Sequence, residues 1–305
     1  MISNLKNRLS LSDQEIETIK KEQADVVFSN KIIIAIIAVF IVSLVLQVST
    51  RTPFLFIGIF VIIVLLIIGI YLYNKEKNEF SLIVKDVIIR RLFEEKFTSV
   101  SYQPDKGLSE DFIKHTGLYP MGNRFYSDDL LSATYKNVGF LQSDVLIQNV
   151  SSNGKTTTTT TYFKGRWIVC DFIKDFDGYH QIRSNSFFKN KKPFKLFGDM
   201  LSEFEFEDQR FNENFTTYTN DQREAYYLIN PGYMERIENL TNYINEQVVY
   251  GFHENKLHVA IYNNEDAFEV SGNKIDEDFV SRVENDIKLI KLIIDELDLE
   301  LDIFK

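Results

Sequence analysis

The chain has 305 residues, a formal net charge of −10 and a single cysteine, Cys170. One cysteine excludes an intrachain disulfide and agrees with a reducing compartment. The acid excess falls after Glu79, which argues against nucleic acid as a partner and against flat electrostatic docking on an anionic surface.

Residues 1–30 read as a cytoplasmic amphipathic helix. Ser12 and Glu15 form an S-x-x-E capping box, in which each side chain satisfies a free amide at the helix start. Ile16, Ile19, Gln23, Val26 and Val27 follow at helical spacing, and the lysines and acids between them are too evenly mixed for a lipid-binding face. The stripe is expected to pack on protein.

Residues 31–74 read as a transmembrane helical hairpin. Ile32 to Val48 and Pro53 to Tyr73 carry no charged side chain, and each approaches the ~20 residues that cross ~30 Å of hydrocarbon. A signal peptide is excluded because acids and bases are mixed ahead of the run and no small-residue cleavage site follows Val48. Lys20, Lys21 and Lys31 precede the first span and Lys75, Lys77 and Lys85 follow the second, while the hinge Ser49-Thr50-Arg51-Thr52 holds one base. That asymmetry predicts a multi-pass protein of the cell membrane with both termini cytoplasmic. The spans contain no acid, lysine or histidine of the kind that marks an ion path, so they read as an anchor in the lipid bilayer.

Residues 79–305 read as one cytoplasmic α+β domain. A helix from Glu79 to about Phe97 turns Ile83, Val87 and Leu92 inward. Strand-like patterning then runs from Phe125 to Ile261. Val138 to Val150 returns at Asn153-Gly154 through six threonines into Tyr162–Phe172, and Asp177-Gly178 is expected to turn a further hairpin into Tyr179–Arg183. Pro231 opens a helix at its first turn, with Met234, Ile237 and Leu240 on its apolar face. Gln247–Phe252 and Leu257–Tyr262 form a last hairpin around His253-Glu254-Asn255-Lys256. A closing helix from Asp276 carries Val283, Ile287, Ile290, Ile294, Leu297 and Leu301 as one stripe, which is expected to pack on the domain. The fold class is therefore α+β: an N-terminal transmembrane hairpin, then a strand-rich cytoplasmic domain closed by a C-terminal helix.

The hairpin, followed by Phe163-Lys164-Gly165, the run Asp171-Phe172-Ile173-Lys174-Asp175-Phe176-Asp177-Gly178, then Asp221-Gln222-Arg223-Glu224-Ala225 and Met234-Glu235-Arg236, resembles a bacterial two-span membrane protein family carrying domain of unknown function 3137. The resemblance runs from the hairpin to about Tyr262. Tyr226 departs from it, standing where the family's E-A-R pattern has arginine. It implies an address at the membrane and no reaction.

Motifs for chemistry are sparse. His253-Glu254…His258 is one residue too long for H-E-x-x-H and lies on a hairpin, so its histidines do not share a helix face. Asp175-x-Asp177-Gly178 has Ile173 where a calcium loop needs its first ligand. Asp171 and Asp175 stand about 13 Å apart on an extended strand, too far to work as acid and base. Cys170 reads as a buried strand residue. No catalytic residue, cofactor or metal set is expected. Lys189, Lys191, Lys192 and Lys195, flanked by Phe187, Phe188, Phe194 and Phe197, form one basic cluster. It reads either as a contact with anionic lipid headgroups or as an exposed loop whose rings cover the core. The expected function is a membrane-anchored interaction or sensing module, non-catalytic, with a protein partner at the membrane. The alternatives are a membrane-tethered hydrolase built from His115, Asp171, Asp221 and Glu224, and an accessory subunit of a transport assembly.

Overall fold

The structure is a computed structural model that describes residues 8–50, 54–172, 175–185, 201–270, 275 and 277–299, with the backbone alone at 47–50 and 54–57. The chain is mixed α+β and divides into two compact units, Met1–Arg91 with Val270–Ser281 and Leu92–Glu269 with Arg282–Lys305.

In the first unit, helix α1 (Asp13–Thr50) opens on the capping box: Ser12 N donates to Glu15 Oε2 at 2.7 Å and Glu15 N donates to Ser12 Oγ at 3.2 Å. The amphipathic segment and the first apolar run are one uninterrupted helix of 38 residues, because neither proline nor glycine breaks it. Along α1 the exposure changes. Ile16, Ile19 and Val26 are buried, whereas Ile34, Val39, Ile41, Val42 and Val45 face outward. Helix α2 (Phe54–Val84) likewise exposes Phe60, Ile63, Ile67 and Ile70. Both helices are long and apolar enough to cross a membrane by length and composition, and 0% of either apolar window is buried. Gly69 seats α2 against α1, since a Cβ there would stand 3.4 Å from Ile33 Cγ1 and 3.7 Å from Ile36 Cδ1.

Beyond α2 the helix continues as a π-helical turn, Lys85–Ile89, into α3 (Arg90–Lys96). The wider turn inserts a residue and rotates the buried stripe. Val84, Ile88, Ile89 and Leu92 are buried, while Ile83 and Val87, expected to face inward, are only half-buried.

The second unit is built on a nine-stranded antiparallel sheet. Its strands are β1 (Thr98–Gln103), β2 (Arg124–Tyr135), β3 (Val138–Ser152), β4 (Thr157–Asp171), β5 (His180–Ser184), β6 (Ser202–Phe204), β7 (Phe215–Thr219), β8 (Gln247–His253) and β9 (Lys256–Tyr262), in the spatial order β1-β2-β3-β4-β9-β8-β5-β7-β6. The expected β3–β4 hairpin forms, with Ser152 opposite Thr157, Gly154 at φ 81° in the turn, and Thr157 to Thr160 exposed. Asp177-Gly178 does not turn a hairpin. β4 pairs with β3 and β9, and β5 with β7 and β8, so the β8–β9 hairpin lies between β4 and β5.

One sheet face packs Trp167, Phe163, Val169, Val145, Ile147, Val249 and Ala260 against Leu108, Ile113, Leu118 and Tyr119 from the segment holding α4 (Glu110–Thr116). Strand alternation puts Arg166 on the other face, where its guanidinium pairs with Asp286 of the closing helix α8 (Glu277–Glu296). Tyr250, on that face too, shares a 2.8 Å hydrogen bond with Thr241 of α7 (Pro231–Ile244). α7 begins as expected, with Pro231 in its first turn and the Asn230 side chain accepting from Tyr233 N. On α8, Val283, Ile287, Ile290 and Ile294 are buried, as is Leu297 just beyond it; Leu301 lies outside the described residues. Two short helices, α5 (Gln209–Asn214) and α6 (Gln222–Leu228), flank β7.

Candidate functional site

The motif-bearing segments meet at one end of the sheet, around the two-residue turn between β8 and β9. Glu254 (φ 50°) and Asn255 (φ 56°) both take the left-handed conformation of a primed hairpin turn. Asn255 ties the chain leaving β4 to this turn. Its carbonyl accepts from Phe172 N at 3.1 Å, its Oδ1 accepts from Phe176 N at 2.9 Å, and its Nδ2 donates to Asp175 Oδ1 at 3.2 Å. The Phe172 and Phe176 rings pack edgewise on Phe252, 5.5 and 6.3 Å between centroids. Lys256 Nζ reaches Asp171 Oδ1 at 2.8 Å.

A clasp closes the same segment from the other side. Asp221 caps α6 by accepting from Arg223 N and Glu224 N. Glu224 then reaches back: Oε1 accepts from Asp177 N at 3.0 Å, and Oε2 accepts from Gly178 N at 2.6 Å and lies 2.9 Å from His180 Nε2. A side chain at 178 would displace the Glu224 carboxylate, because a Cβ there would come within 2.1 Å of Glu224 Oε2. His180 is fully buried, with Nδ1 2.8 Å from Thr219 Oγ1. Burial lowers its pKa, opposed by the hydrogen bond and charge of Glu224. Asn220 Oδ1 accepts from Tyr179 N at 2.7 Å, and the Tyr179 hydroxyl donates to the Thr116 carbonyl. The D-F-x-K-x-F-x-G and D-x-x-E-A motifs are thus two halves of one structural joint.

Two imidazoles gather at the mouth of this joint. His115, in the last turn of α4, stacks on His253 with centroids 5.3 Å apart and planes at 23°. His115 Nε2 and His253 Nε2 stand 3.6 and 3.9 Å from the same atom, Glu254 Oε1. Tyr179 packs edgewise on His253 at 5.4 Å. Burial lowers the His253 pKa; Glu254 opposes it and His115 adds to it. His258, the second histidine of the H-E-x-x-x-H run, is elsewhere: it is buried on β9, accepts from Trp167 Nε1 at 3.3 Å, and burial pushes its pKa down to about 3.

A separate acidic recess lies where β2 bulges. Asp128 faces Asp144 across the strands, and Asp129 takes φ 55° at the irregularity. Carboxylate oxygens of the three lie within 4.8 Å of one another. The Tyr102 hydroxyl donates to Asp129, while neither carboxylate oxygen of the buried Asp144 has a hydrogen-bond partner. Burial, then the Asp129 charge, holds the Asp144 carboxyl well above the usual range, with Arg166 acting in the opposite direction. A cavity of about 280 Å³ opens beside it, lined by Asp128, Asp144, Lys164 and Asp266 among others.

The carboxylates named for a hydrolase are each engaged by different groups: Asp171 by Lys256, Asp221 by the α6 amides, and Glu224 by the 177–178 turn and His180. His115 stands beside Glu254. Cys170 is buried and its thiol is pushed up to about 12 by that burial. Lys189, Lys191, Lys192 and Lys195 lie outside the described residues. Tyr226 packs on the Phe204 and Phe206 rings, at 5.0 and 5.6 Å.

A nine-stranded antiparallel sheet with a closing helix, preceded by two apolar helices, defines a mixed α+β protein with membrane-spanning capacity. Residues 161–299, a little under half of the chain, match the family described as "Protein of unknown function (DUF3137)". The match begins within β4 and takes in α8, beyond the expected limit near Tyr262, and leaves out the apolar hairpin. No curated protein matches the chain. Among solved structures, the crystal structure of the mycobacterial trehalose monomycolate transport factor A, TtfA, aligns at 8% identity and a TM-score of 0.36, over 68% of this chain and 91% of that one.

Proposed function

We propose that the protein is a membrane-anchored, non-catalytic interaction or sensing module. Residues 31–74 hold it in the bilayer, and residues 79–305 form a cytoplasmic domain that engages a protein partner at the membrane. The observation that carries this reading is the outward-facing apolar surface of α1 and α2, which is far larger than a soluble chain leaves in water. The lysines flanking the two spans support cytoplasmic termini. The engagement of Asp171, Asp221 and Glu224 in structural bonds supports a binding role over hydrolysis. Lys189, Lys191, Lys192 and Lys195 add a contact with anionic headgroups.

Topology is tested with Ser3→Cys and Thr50→Cys in a Cys170→Ala background. An impermeant maleimide on intact cells should label the cysteine at 50 and leave that at 3 untouched; the reverse overturns the orientation. Function is tested by purification from native membranes in mild detergent. A stoichiometric partner should survive replacement of residues 31–74 by an unrelated hairpin and be lost when residues 79–305 are removed. A purified chain without such a partner that cleaves ester or phosphoester substrates, and stops doing so on His115→Ala, would replace the module with the hydrolase.

A further inference from the structure

We infer that His115, His253 and Glu254 form a binding site for one divalent transition-metal ion of the zinc class. The inference stands apart from the anchored-module reading, since it rests on three side chains within the sheet unit.

Neutral imidazole nitrogen and carboxylate oxygen are the donors that zinc and its neighbours prefer, and two histidines with one acid is a recurrent three-ligand set. Ligand atoms around a tetrahedral ion at ~2.0–2.1 Å are separated from one another by roughly 3.3 Å. Here Glu254 Oε1 lies 3.6 Å from His115 Nε2 and 3.9 Å from His253 Nε2, and one ligand atom from each of the three residues lies within 4.8 Å of the others. Glu254, 67% exposed, closes its own gap by a small rotation, and the His115 ring, 62% exposed, must turn out of its 23° stack on His253 for the two nitrogens to converge on the ion. The scaffold is already fixed. His253 ends β8, Glu254 occupies a two-residue turn anchored through Asn255, and α4 is held by the Tyr179 hydroxyl on the Thr116 carbonyl, one residue from His115.

Burial takes the other nitrogen and sulfur donors out of competition, and the acidic recess at Asp128, Asp129 and Asp144 offers oxygen alone. The chain has four histidines and one cysteine. His180 is buried between Thr219 and Glu224, His258 is buried against Trp167, and Cys170 is buried with its thiol protonated at neutral pH. The side chains of His115 and Glu254 are 62% and 67% exposed, so the ion keeps its remaining coordination position toward solvent, open to water or to an anionic donor.

The test uses the full chain in detergent, purified without a histidine tag and stripped with a chelator. Zinc alone, followed by calorimetry, should bind at one equivalent per chain. Cobalt(II) should give visible bands with intensity between tetrahedral and five-coordinate. His115→Ala, a change at an exposed position, should weaken zinc binding by more than about tenfold, and Glu254→Gln should weaken it in the same direction. Zinc should raise the melting temperature of the parent chain and leave that of His115→Ala unmoved, because only a ligand that binds the folded state stabilises it. Calcium should do neither. Absence of a one-equivalent site at zinc concentrations up to about 100 µM, or binding that is unchanged in both variants, overturns the assignment.

Discussion

Removing the Glu224 carboxylate should open the joint that binds residues 177–180 to α6. In Glu224→Ala, Gly178 N and His180 Nε2 lose the acceptor that now stands at 2.6 and 2.9 Å, and Asp177 N loses one at 3.0 Å. Asp177 is exposed and water replaces its partner at little cost. The other two donors are sheltered, and His180 has no solvent exposure with which to recover. A buried donor left unsatisfied costs about 1–3 kcal/mol, and hydrogen bonds to a charged group lie at the upper end, so the expected loss is about 3 kcal/mol. Glu224→Gln keeps one acceptor, and the His180 ring can exchange tautomers to meet the amide, so its loss should be about 1 kcal/mol. Trp167, the only tryptophan, sits in the core and reports the transition. Urea unfolding of the full chain in detergent, followed by its fluorescence, should show a lower midpoint with an unchanged slope. A Glu224→Ala midpoint within error of the parent would refute the clasp as a source of stability.

Ile294→Ala on the closing helix should cost about 2–5 kcal/mol, since Ile294 has no exposed surface, and the loss should not change with protein concentration; a concentration-dependent melt would reassign the stripe to a dimer seam. His258 has a folded pKa of about 3 against ~6.5 unfolded, so the unfolded state binds the extra proton between these values. Its contribution is complete above pH ~6.5 and declines below it by up to about 1.4 kcal/mol per pH unit, and His258→Asn should flatten that slope in melts between pH 7 and 5. Asp144 is the opposite case. Its folded pKa is raised, so the folded state holds the proton more tightly and stability is lost as pH rises. Asp144→Asn should therefore stabilise the chain at pH 7, and the gain should shrink in acid; a destabilised variant at pH 7 would show that the carboxylate is needed ionised.

What the sequence made legible was local. Asn153-Gly154 marks the β3–β4 turn because the glycine can take φ 81° and its neighbours alternate. Pro231 marks a helix start because its ring suits only the first turn. The stripe from Val283 to Leu297 marks a buried face because its spacing matches the helical repeat. What was lost was partnership. Asp177-Gly178 has the residues of a hairpin turn, yet its amides go to Glu224, and the strands on either side pair with others. The π-helical turn at Lys85–Ile89 carries no residue signature, so the regular helical phase that turns Ile83 and Val87 inward does not hold through it. The imidazole cluster escaped for the same reason. Along the chain Glu254 neighbours His258, which faces Trp167, while its spatial neighbour His115 comes from a helix far upstream.

The position of β4 has a consequence for how the chain is made. Its two partners lie at very different sequence distances. β3 immediately precedes it, whereas Lys256 of β9 meets Asp171 across 85 residues. During synthesis the β1–β4 meander can form while the other side of β4 has nothing to pair with. That waiting edge includes Trp167, Ile168 and Val169, a segment suited to pairing with another chain. Lys164 and Arg166 before it and Asp171 after it act as charged gatekeepers until β8 and β9 emerge. Pairing β4 with β9 then joins the two halves of the sheet through contacts of high sequence separation, the kind whose closure is slow in general.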